Sequence, residues 1–296
     1  METVLSLAVA AKGECDPRPF IDALEESGIF AAENIEIHIA SDLPLPANSL
    51  APAANVFVHQ CASGTSILKL WGMALAQTAS SYVAVLDINC PPAAEWFSSA
   101  MSEIAKGGRL FFGPVNSAWK SNDRRIVGYI AEYAQFSGPL ALELDEVPGN
   151  NLVFHGSLLG DREALTGQGF FKTFMIWRLA TEGHLVPARL DEMVVMYRKP
   201  FRVRHYVRRR FVHGRCFGAT RHDNAGQPPR LLCLGFTLVL PLVRTSRIYK
   251  AVRKHAELRR AFWRFFILIF ASESAWSAGE FFGYAFGGRS CCEKLD

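Results

Sequence analysis

The sequence predicts an α/β fold with three layers, in which helices cover the faces of a sheet. Over the first 90 residues, short apolar runs alternate with amphipathic segments in the order strand, helix, strand, strand, helix, strand. Residues 81–90 (SYVAVLDINC) end this series with an apolar and aromatic run bounded by turn residues, which is typical of a buried central strand. The 296 residues, half of them hydrophobic, suffice to bury a full core.

Each element of the series has a local signature. Residues 3–10 (TVLSLAVA), 35–40 (IEIHIA) and 56–59 (VFVH) are short apolar or alternating runs that predict three strands. Residues 16–28 begin with turn-forming residues and end with a glycine, which predicts a short helix. Residues 63–79 carry apolar side chains at helical spacing and predict a longer helix.

Similar elements follow the central strand. We expect helices at residues 94–106, 123–137, 157–166 and 170–183, and strands at 109–115 and 193–197. Residues 146–154 predict a Gly-Asn turn that leads into an apolar strand. No GxGxxG follows the first strand and the chain has no Walker loop, which argues against dinucleotide-binding and P-loop classes.

Two predicted strands are followed or ended by a carboxylate, at the edge where open α/β sheets bind ligands. Asp42 follows the second strand, and Asp87 ends the apolar run of the central one. Asn89 lies two residues after Asp87, so on an extended backbone both side chains point the same way. Their oxygens would then hold one divalent cation together with its phosphates. The alternative is a strand-capping Asp and a turn Asn without a ligand.

Charge is distributed unevenly along the chain. The first hundred residues carry three Lys/Arg against eleven Asp/Glu, a net charge of −8, so the other 196 carry +12 of the total of +4. Residues 198–221 hold nine basic residues and no acidic one, which predicts contact with phosphate or anionic lipid headgroups. Most of these charges are expected on a solvated helix face, and Arg215 is the candidate ligand contact. No RNA-binding signature is present, so nucleic acid is not an expected partner.

The cysteines favour a reduced setting. The chain has seven, an odd number without metal-ligand spacing, and its N-terminus lacks the pattern of a signal peptide. A cytosolic environment is therefore expected. The adjacent Cys291 and Cys292 are either an acylation site or two free thiols on a tail.

The C-terminal region predicts membrane association. Residues 231–243 (LLCLGFTLVLPLV) are uncharged, but as a helix they reach only ~20 Å against ~30 Å of hydrocarbon. Residues 244–264 then carry eight Lys/Arg and one Glu, and Glu273 and Glu280 interrupt the apolar stretch that follows. This pattern favours helices lying in the plane of an anionic membrane surface over helices that span it. The alternatives are a helical pack that covers the sheet and a partner-binding surface.

Five blocks, in order, resemble glycosyltransferase family 2, whose members have the GT-A fold, from about residue 3 to residue 288. They are SILKLWGMALA (66–76), similar to the family's RN.G...A helix with Lys69 near the usual Arg; VLDIN (85–89), in the place of the FLDDD metal motif; PGNNLVFHGSLL (148–159), similar to the acceptor-side block; FVHGRCF (211–217), in the place of the y.yGR helix; and WSAGEFFGYAFG (276–287), similar to the tail of membrane-associated bacterial members.

The resemblance implies inverting transfer of a sugar from a nucleotide-diphosphate donor. It assigns five residues to the nucleotide and its diphosphate, two of them also to Mn²⁺ or Mg²⁺, and two to the acceptor side. The nucleotide set is Asp42, Lys69, Asp87, Asn89 and Arg215, the metal pair within it is Asp87 with Asn89, and the acceptor pair is Asn150 with Asn151.

The chain departs from the family pattern in two places. Asn89 stands where a second carboxylate is usual, and an amide binds a divalent ion more weakly. Residues 169–179 (GFFKTFMIWRL) have no acid where active members place a pair whose Asp is the base. The alternative replacement bases are Glu132, His155 and His213. The competing interpretations are a solvated helix residue for Glu132, a turn residue for His155 and a helix-surface residue for His213.

The sequence therefore predicts a family 2-like hexosyltransferase acting on a membrane-held, cell-envelope polysaccharide or glycolipid acceptor. The alternatives are a catalytically impaired relative that binds a nucleotide-sugar or a partner, and a membrane-surface scaffold. The expected location is the cytoplasmic face of the inner membrane, peripheral or monotopic. We expect a glycosyltransferase domain at 1–200, a basic segment closing the site at 201–230, membrane-associating helices at 231–288 and a tail at 289–296.

Overall fold

The chain forms two compact units. The computed structural model describes residues 3–13, 15–32, 34–45, 55–139, 146–182, 186–221, 229–288 and residue 292. The first unit lies within 1–116 and 136–198, and the second within 117–135 and 199–296. One boundary between the units lies between residues 198 and 199, and residues 117–135 group with the C-terminal helices, which has no signature in the local sequence. The domain limits expected from the sequence stay a prediction. The expected tail at 289–296 lies outside the described residues except for residue 292.

The strands are β1 (Leu5–Ala11), β2 (Ile35–Ser41), β3 (Val56–Gln60), β4 (Tyr82–Asp87), β5 (Leu110–Phe112), β6 (Val115–Ser117), β7 (Asn151–His155), β8 (Ala188–Arg189) and β9 (Val195–Tyr197). Seven of them form a mixed sheet in the order β3-β2-β1-β4-β7-β5-β8, and β6 pairs with β9. Strand β1 is parallel to β2 and β4, whereas β7 is antiparallel to β4 and β5. The α/β class and the central position of β4 are confirmed.

The helices are α1 (Arg18–Glu26), α2 (Ile67–Ala76), α3 (Trp96–Ala105), α4 (Ile126–Tyr133), α5 (Ala164–Gln168), α6 (Lys172–Thr181), α7 (Val203–Arg221), α8 (Arg230–Phe236), α9 (Leu240–Val252), α10 (Ala256–Arg264) and α11 (Phe266–Phe286). Helix α2 begins at a serine cap, since the Ser66 side chain accepts a hydrogen bond from the Lys69 N–H. Its Trp71 indole N–H donates to the Leu86 carbonyl at 2.7 Å, which fixes α2 against β4.

Two local predictions in the first unit differ from the structure. The strand expected at 109–115 is divided into β5 and β6 around Gly113 and Pro114. A Cβ at Gly113 would lie 1.8 Å from the Met193 carbonyl oxygen, and a proline has no N–H to continue a ladder. The helix expected at 157–166 is a 3₁₀ turn at Gly156–Leu158 followed by α5.

Glycines allow α7 and α11 of the second unit to approach each other closely. A Cβ at Gly214 on α7 would lie 2.1 Å from the Trp276 carbonyl oxygen. On α11, a Cβ at Gly279 would lie 2.1 Å from the Phe211 carbonyl oxygen. One turn further along, a Cβ at Gly218 would lie 2.7 Å from the Glu280 carbonyl oxygen, and a Cβ at Gly283 2.3 Å from the Arg215 carbonyl oxygen. The backbones therefore touch where only glycine fits.

The C-terminal helices are divided differently from the prediction. Residues 244–264 form parts of two helices, α9 and α10, instead of one basic helix. Glu273 and Glu280 do not interrupt α11, because both are buried within it and hydrogen-bonded to other side chains of the second unit. Among the described helices, none is by itself long and apolar enough to cross a membrane. Helices α8 and α9 together meet that length and composition, with a bend of 68° between them.

One cysteine prediction is wrong. Cys216 on α7 and Cys292 form a disulfide with a Cα–Cα distance of 5.1 Å, so Cys292 is not a free thiol. Cys291 lies outside the described residues. The disulfide joins residues 76 apart in the sequence and lies within the second unit, so it attaches the end of the described chain to α7.

Candidate functional site

The first part of the site is built around Asp42, which directly follows β2 and is 4% exposed. Its Oδ2 accepts a hydrogen bond from the Lys12 Nζ at 2.7 Å, and its Oδ1 accepts one from the Gly13 N–H at 2.7 Å. The Gly64 N–H, just before α2, donates to Oδ2 at 3.3 Å. Gly13 and Gly64 have φ of 68° and 82°, the left-handed region that glycine tolerates. One carboxylate thus joins the loops after β1, β2 and β3.

The electrostatics keep Asp42 ionised. Burial by itself would raise the pKa of Asp42, but the Lys12 ammonium and the N–H groups of Gly13 and Gly64 lower that pKa below its ordinary value. Sequence reasoning selected Asp42 but missed Lys12. The signal was available, since Lys12 directly follows β1 and the carboxyl ends of parallel strands meet at one edge.

The second part of the site is Asp87, the last residue of β4 and 1% exposed. Asp87 is in register with Ala10 of β1, which pairs with Ala40 of β2, so Asp87 and Asp42 lie at the same edge of the sheet. This convergence is the predicted one. The geometry of Asn89 differs from the prediction, because the strand ends at Asp87 and a turn follows. The Asn89 backbone N–H and side-chain amide both donate to the Asp87 Oδ1, at 2.9 and 3.3 Å.

The thiol of Cys15 is affected by the charges of both carboxylates. Burial, and then the negative charges of Asp87 and Asp42, raise the pKa of the Cys15 thiol to about 11. The thiol is therefore neutral near pH 7 and is not a nucleophile.

The described residues do not form a protein-only metal site. They contain no group of three or more His, Cys, Asp or Glu side chains that could hold a metal ion. The donor set at Asp87, one carboxylate beside one amide, instead fits an ion that arrives with a diphosphate, because magnesium-type sites often use one or two carboxylates and substrate phosphates. Asp87 is the residue that would hold such an ion.

Lys69, Asn150 and Asn151 have defined places in the first unit. Lys69 lies in the first turn of α2, which follows the Gly64 loop. Asn151 is fully buried, and its side chain accepts from the Trp96 indole and donates to two backbone carbonyls, which is a structural role. The Asn150 amide lies 2.9 Å from the Cys90 sulfur, also fully buried. Acceptor binding by this pair stays a prediction.

His155 lies at the opposite edge of the sheet from Asp87. It ends β7, which is antiparallel to β4, and it pairs with Tyr82 at the first residue of β4. Asp87 is five residues further along β4, a separation of ~16 Å at the rise of a strand. The His155 Nδ1 contacts the Ser157 hydroxyl at 2.8 Å. The structure does not bring His155 to the carboxyl edge.

The segment that lacks the usual acidic pair begins α6 with a lysine. Lys172 donates from its Nζ to the Val147 carbonyl, and this ammonium lies 5.7 Å from the centre of the Phe136 ring. Burial lowers the pKa of Lys172 despite the nearby charge of Glu146. The Lys172 Cγ is 3.4 Å from where a Cβ of Gly149 would be, so the aliphatic part of this side chain packs against the Gly-Asn block.

Glu132 and His213, the other two predicted bases, belong to the second unit. Glu132 accepts a hydrogen bond from the Arg209 guanidinium; burial would raise its pKa, but Arg209 and Arg210 lower it. Burial and the nearby charge of Arg210 lower the pKa of His213 to about 3. Because the pKa of each side chain is lowered, Glu132 and His213 are both weak bases near neutral pH.

Arg215, the predicted phosphate contact, is half-buried on α7. Its Nε donates to the Gly287 carbonyl at 3.3 Å, just beyond the last residue of α11. A cation at the C-terminus of a helix stabilises the carbonyl groups there. The described contact of Arg215 is therefore one within the second unit.

The comparisons with known proteins identify the fold. No protein-family model matches the sequence, and no curated protein matches it. The mannosyltransferase PcManGT from Pyrobaculum calidifontis, solved with GDP-Man and Mn²⁺, is 14% identical over 95% of this chain and 87% of its own, with a TM-score of 0.55. The S. aureus TarS fragment 1–349 with UDP-GlcNAc is 13% identical over 93% and 90%, with a TM-score of 0.47. The chain thus has a mixed seven-stranded α/β fold resembling GT-A glycosyltransferases, followed by C-terminal helices.

Proposed function

We propose that this chain binds a nucleotide-diphosphate sugar at the carboxyl edge of its sheet and transfers the hexosyl group to an acceptor held at a membrane surface. The observation that carries the proposal is the convergence of Lys12, Asp42 and Asp87 at the ends of β1, β2 and β4. Open α/β sheets bind ligands at this edge, and PcManGT, which shares the fold, was solved with GDP-Man and Mn²⁺.

The negative charge at this edge implies that the donor binds together with a cation. An anionic diphosphate beside the buried Asp87 carboxylate requires a cation between them, because like charges in a partly buried site repel strongly. A divalent ion held by Asp87 would supply charge neutralisation of the departing diphosphate. Asp42 and Lys12 would orient the nucleoside through polar contacts, with Lys69 in the adjacent first turn of α2.

The chemical class of the acceptor follows from the catalytic base, which residues 169–179 do not supply. Each predicted replacement has another role or position, since Glu132 pairs with Arg209, His213 has a pKa of about 3 and His155 lies at the other edge. A phosphate acceptor needs no base, because its oxygens are already anionic near neutral pH. We therefore propose a phosphate-bearing acceptor for the transferase.

The second candidate function is binding of a nucleotide-sugar without turnover. The observation that favours it is Lys172, which begins α6 in the segment where active family members carry acids. A cation there would bind a donor phosphate or sugar oxygen but would not take a proton while it is charged. The two candidates share the donor site and differ in transfer.

Membrane association is supported by the surface of the second unit. Its exposed large apolar side chains, mostly on α8 to α11, are Leu231, Leu232, Phe236, Leu238, Val239, Leu242, Trp263, Phe266, Ile267, Phe281, Phe282 and Phe286. Exposed basic side chains accompany them at Arg247, Lys250, Arg253, Lys254, Arg259, Arg260 and Arg264. Apolar side chains flanked by Lys and Arg are typical of helices that lie in an anionic membrane interface.

The donor site is tested by calorimetric titration of UDP and GDP, each with and without Mn²⁺, into the full chain. We expect one nucleotide to bind in a manganese-dependent manner and Asp87→Ala to abolish that binding. Asp22→Ala, an exposed aspartate on α1, is the matched control and should bind like the wild type. Unchanged binding by Asp87→Ala would remove Asp87 from the site.

Turnover separates the two candidate functions. With the nucleotide that binds, its hexose conjugate is incubated with the chain and vesicles containing a polyprenyl phosphate, and release of nucleoside diphosphate is measured. Release that depends on the lipid phosphate supports the transferase. Binding without release, across UDP- and GDP-hexoses, supports the binding protein.

A further inference from the structure

The second unit contains an apolar groove formed by α9, α10 and α11. Its volume is about 190 Å³, and its lining is Leu242, Thr245, Ser246, Tyr249, Phe262, Trp263, Phe266 and Phe270. The floor is buried, since Phe262 is 1% and Thr245 7% exposed. The rim is open, with Leu242 64% and Trp263 58% exposed.

The aromatic rings form a continuous wall along this groove. The Trp263 ring centre lies 5.5 Å from that of Tyr249 and 5.7 Å from that of Phe266, and Phe266 stacks on Phe270 at 6.1 Å. The Thr245 hydroxyl has no hydrogen-bond partner among the described residues, although a helical Thr ordinarily bonds a carbonyl of the preceding turn. An apolar wall that stands partly open above a buried floor with one unpartnered hydroxyl resembles an incomplete core.

The size and surroundings of the groove select its occupant. A volume of 190 Å³ equals roughly six water molecules and is below the range of pockets that hold drug-sized ligands. It suits a segment of one unbranched chain better than a helix, which is ~10 Å across. Exposed Arg247, Lys250 and Arg264 are sequence neighbours of the lining residues Ser246, Tyr249 and Trp263 and provide positive charge for an anionic headgroup.

We propose that this groove binds one hydrocarbon chain of an anionic membrane lipid. The proposal deepens, and rests on, the membrane association in the proposed function. The chain would lie against Tyr249, Phe262 and Phe266 and cover the floor at Thr245, while its headgroup meets the basic side chains of α9 and α10. The groove would thereby fix the depth and orientation of the second unit on the lipid surface.

The probe is 11-bromoundecanoate, used below its micelle concentration with the full chain. Its bromine quenches tryptophan fluorescence on contact, and Trp263 is in the rim of the groove. We expect saturable quenching that Trp263→Phe removes. Ser246→Phe should weaken it at least tenfold by filling the groove, since each buried methylene changes affinity about fourfold. Ala278→Phe, which adds the same ring at an exposed position of α11 outside the groove, is the matched control and should bind like the wild type.

A second variant tests the floor. Thr245→Val replaces the unpartnered hydroxyl by a methyl group of similar shape, and we expect binding two- to fivefold tighter.

Two results with the variants would overturn the proposal: quenching that Trp263→Phe leaves unchanged, and equal affinity of Ser246→Phe and Ala278→Phe for the probe. Capture of a protein partner at this groove without binding of the hydrocarbon chain would also overturn it. Flotation with phosphatidylglycerol vesicles tests the membrane association separately. Flotation without quenching of Trp263 would contradict lipid binding in the groove but not the membrane association. Quenching without flotation would contradict the membrane association but not binding of a hydrocarbon chain in the groove.

Discussion

The Lys12 ammonium lies 2.7 Å from the Asp42 carboxylate, and these side chains are only 12% and 4% exposed. The pair joins the residue after β1 to the residue after β2, so it fixes the edge at which β4 presents Asp87. Buried ion pairs are weak evidence for stability by themselves, because desolvation opposes the attraction. Here the two N–H groups of glycines complete the hydrogen bonding of Asp42. These contacts favour a carboxyl edge whose polar side chains are already in place before a ligand binds.

We expect Asp42→Asn to weaken nucleotide binding about tenfold while the chain stays folded. The amide keeps the size of the side chain but cannot accept hydrogen bonds at both terminal atoms, and it leaves the Lys12 charge without its partner in this pair. Calorimetry with the nucleotide that binds, together with circular dichroism, checks both parts. Asp22→Asn is the exposed control on α1. Wild-type affinity in Asp42→Asn would exclude this carboxylate from the nucleoside site.

The contact between α7 and α11 predicts a strong glycine effect. Gly279→Ala would place a Cβ 2.1 Å from the Phe211 carbonyl oxygen, so the helices must separate, at a cost of at least about 2 kcal/mol of unfolding free energy. Gly235→Ala on α8 meets nothing within 4 Å and should stabilise the chain by about 0.5–1 kcal/mol. Urea denaturation of both variants is the measurement. Equal stability of the two would contradict the close helix contact.

The buried Glu273 binds two guanidinium groups. Arg210 donates to its Oε1 at 2.6 Å and Arg244 to its Oε2, and both guanidinium carbons lie within 4.5 Å of the Trp276 ring centre. Glu273→Gln should destabilise the chain by about 3 kcal/mol, because it leaves buried positive charge uncompensated.

The control for this variant is Glu257→Gln, which removes an exposed carboxylate paired with Arg260. Surface pairs contribute little, so we expect its denaturation midpoint to be unchanged within error. A Glu273→Gln variant as stable as Glu257→Gln would mean that the Arg210 and Arg244 charges are solvated.

His213 predicts a specific loss of stability in acid. Burial and Arg210 lower its pKa in the folded chain to about 3 from an ordinary value near 6.5, so between these values the unfolded chain binds the additional proton. Stability therefore falls as the pH decreases from about 6.5 towards 3. From pH 7 to pH 5 we expect the unfolding free energy of His213→Phe to fall by about 2 kcal/mol less than that of the wild type in urea denaturation. An identical loss in both would show that His213 is solvated.

The sequence by itself determined the α/β class, the central strand, and the positions of Asp42 and Asp87 at the carboxyl ends of two strands. These features depend on local patterns, since apolar runs of strand length and helical periodicity are legible in short windows. Asp42 and Asp87 were found because a residue that ends a strand lies at a known edge of a parallel sheet. The same reasoning applied to Lys12 after β1 would have completed the edge.

Only the tertiary structure decided the contacts that join distant segments. Glu273 and Glu280 look like interruptions of an apolar stretch in the sequence. In the fold, α7 and α9 bring arginines to Glu273, and Trp276 of α11 itself donates to Glu280. His155 looks like a neighbour of the Gly-Asn block until the antiparallel pairing of β7 with β4 carries it to the far edge. The role of a buried charge and the direction of a strand depend on contacts with residues that are distant in the sequence. Local sequence patterns do not specify which distant residues make those contacts.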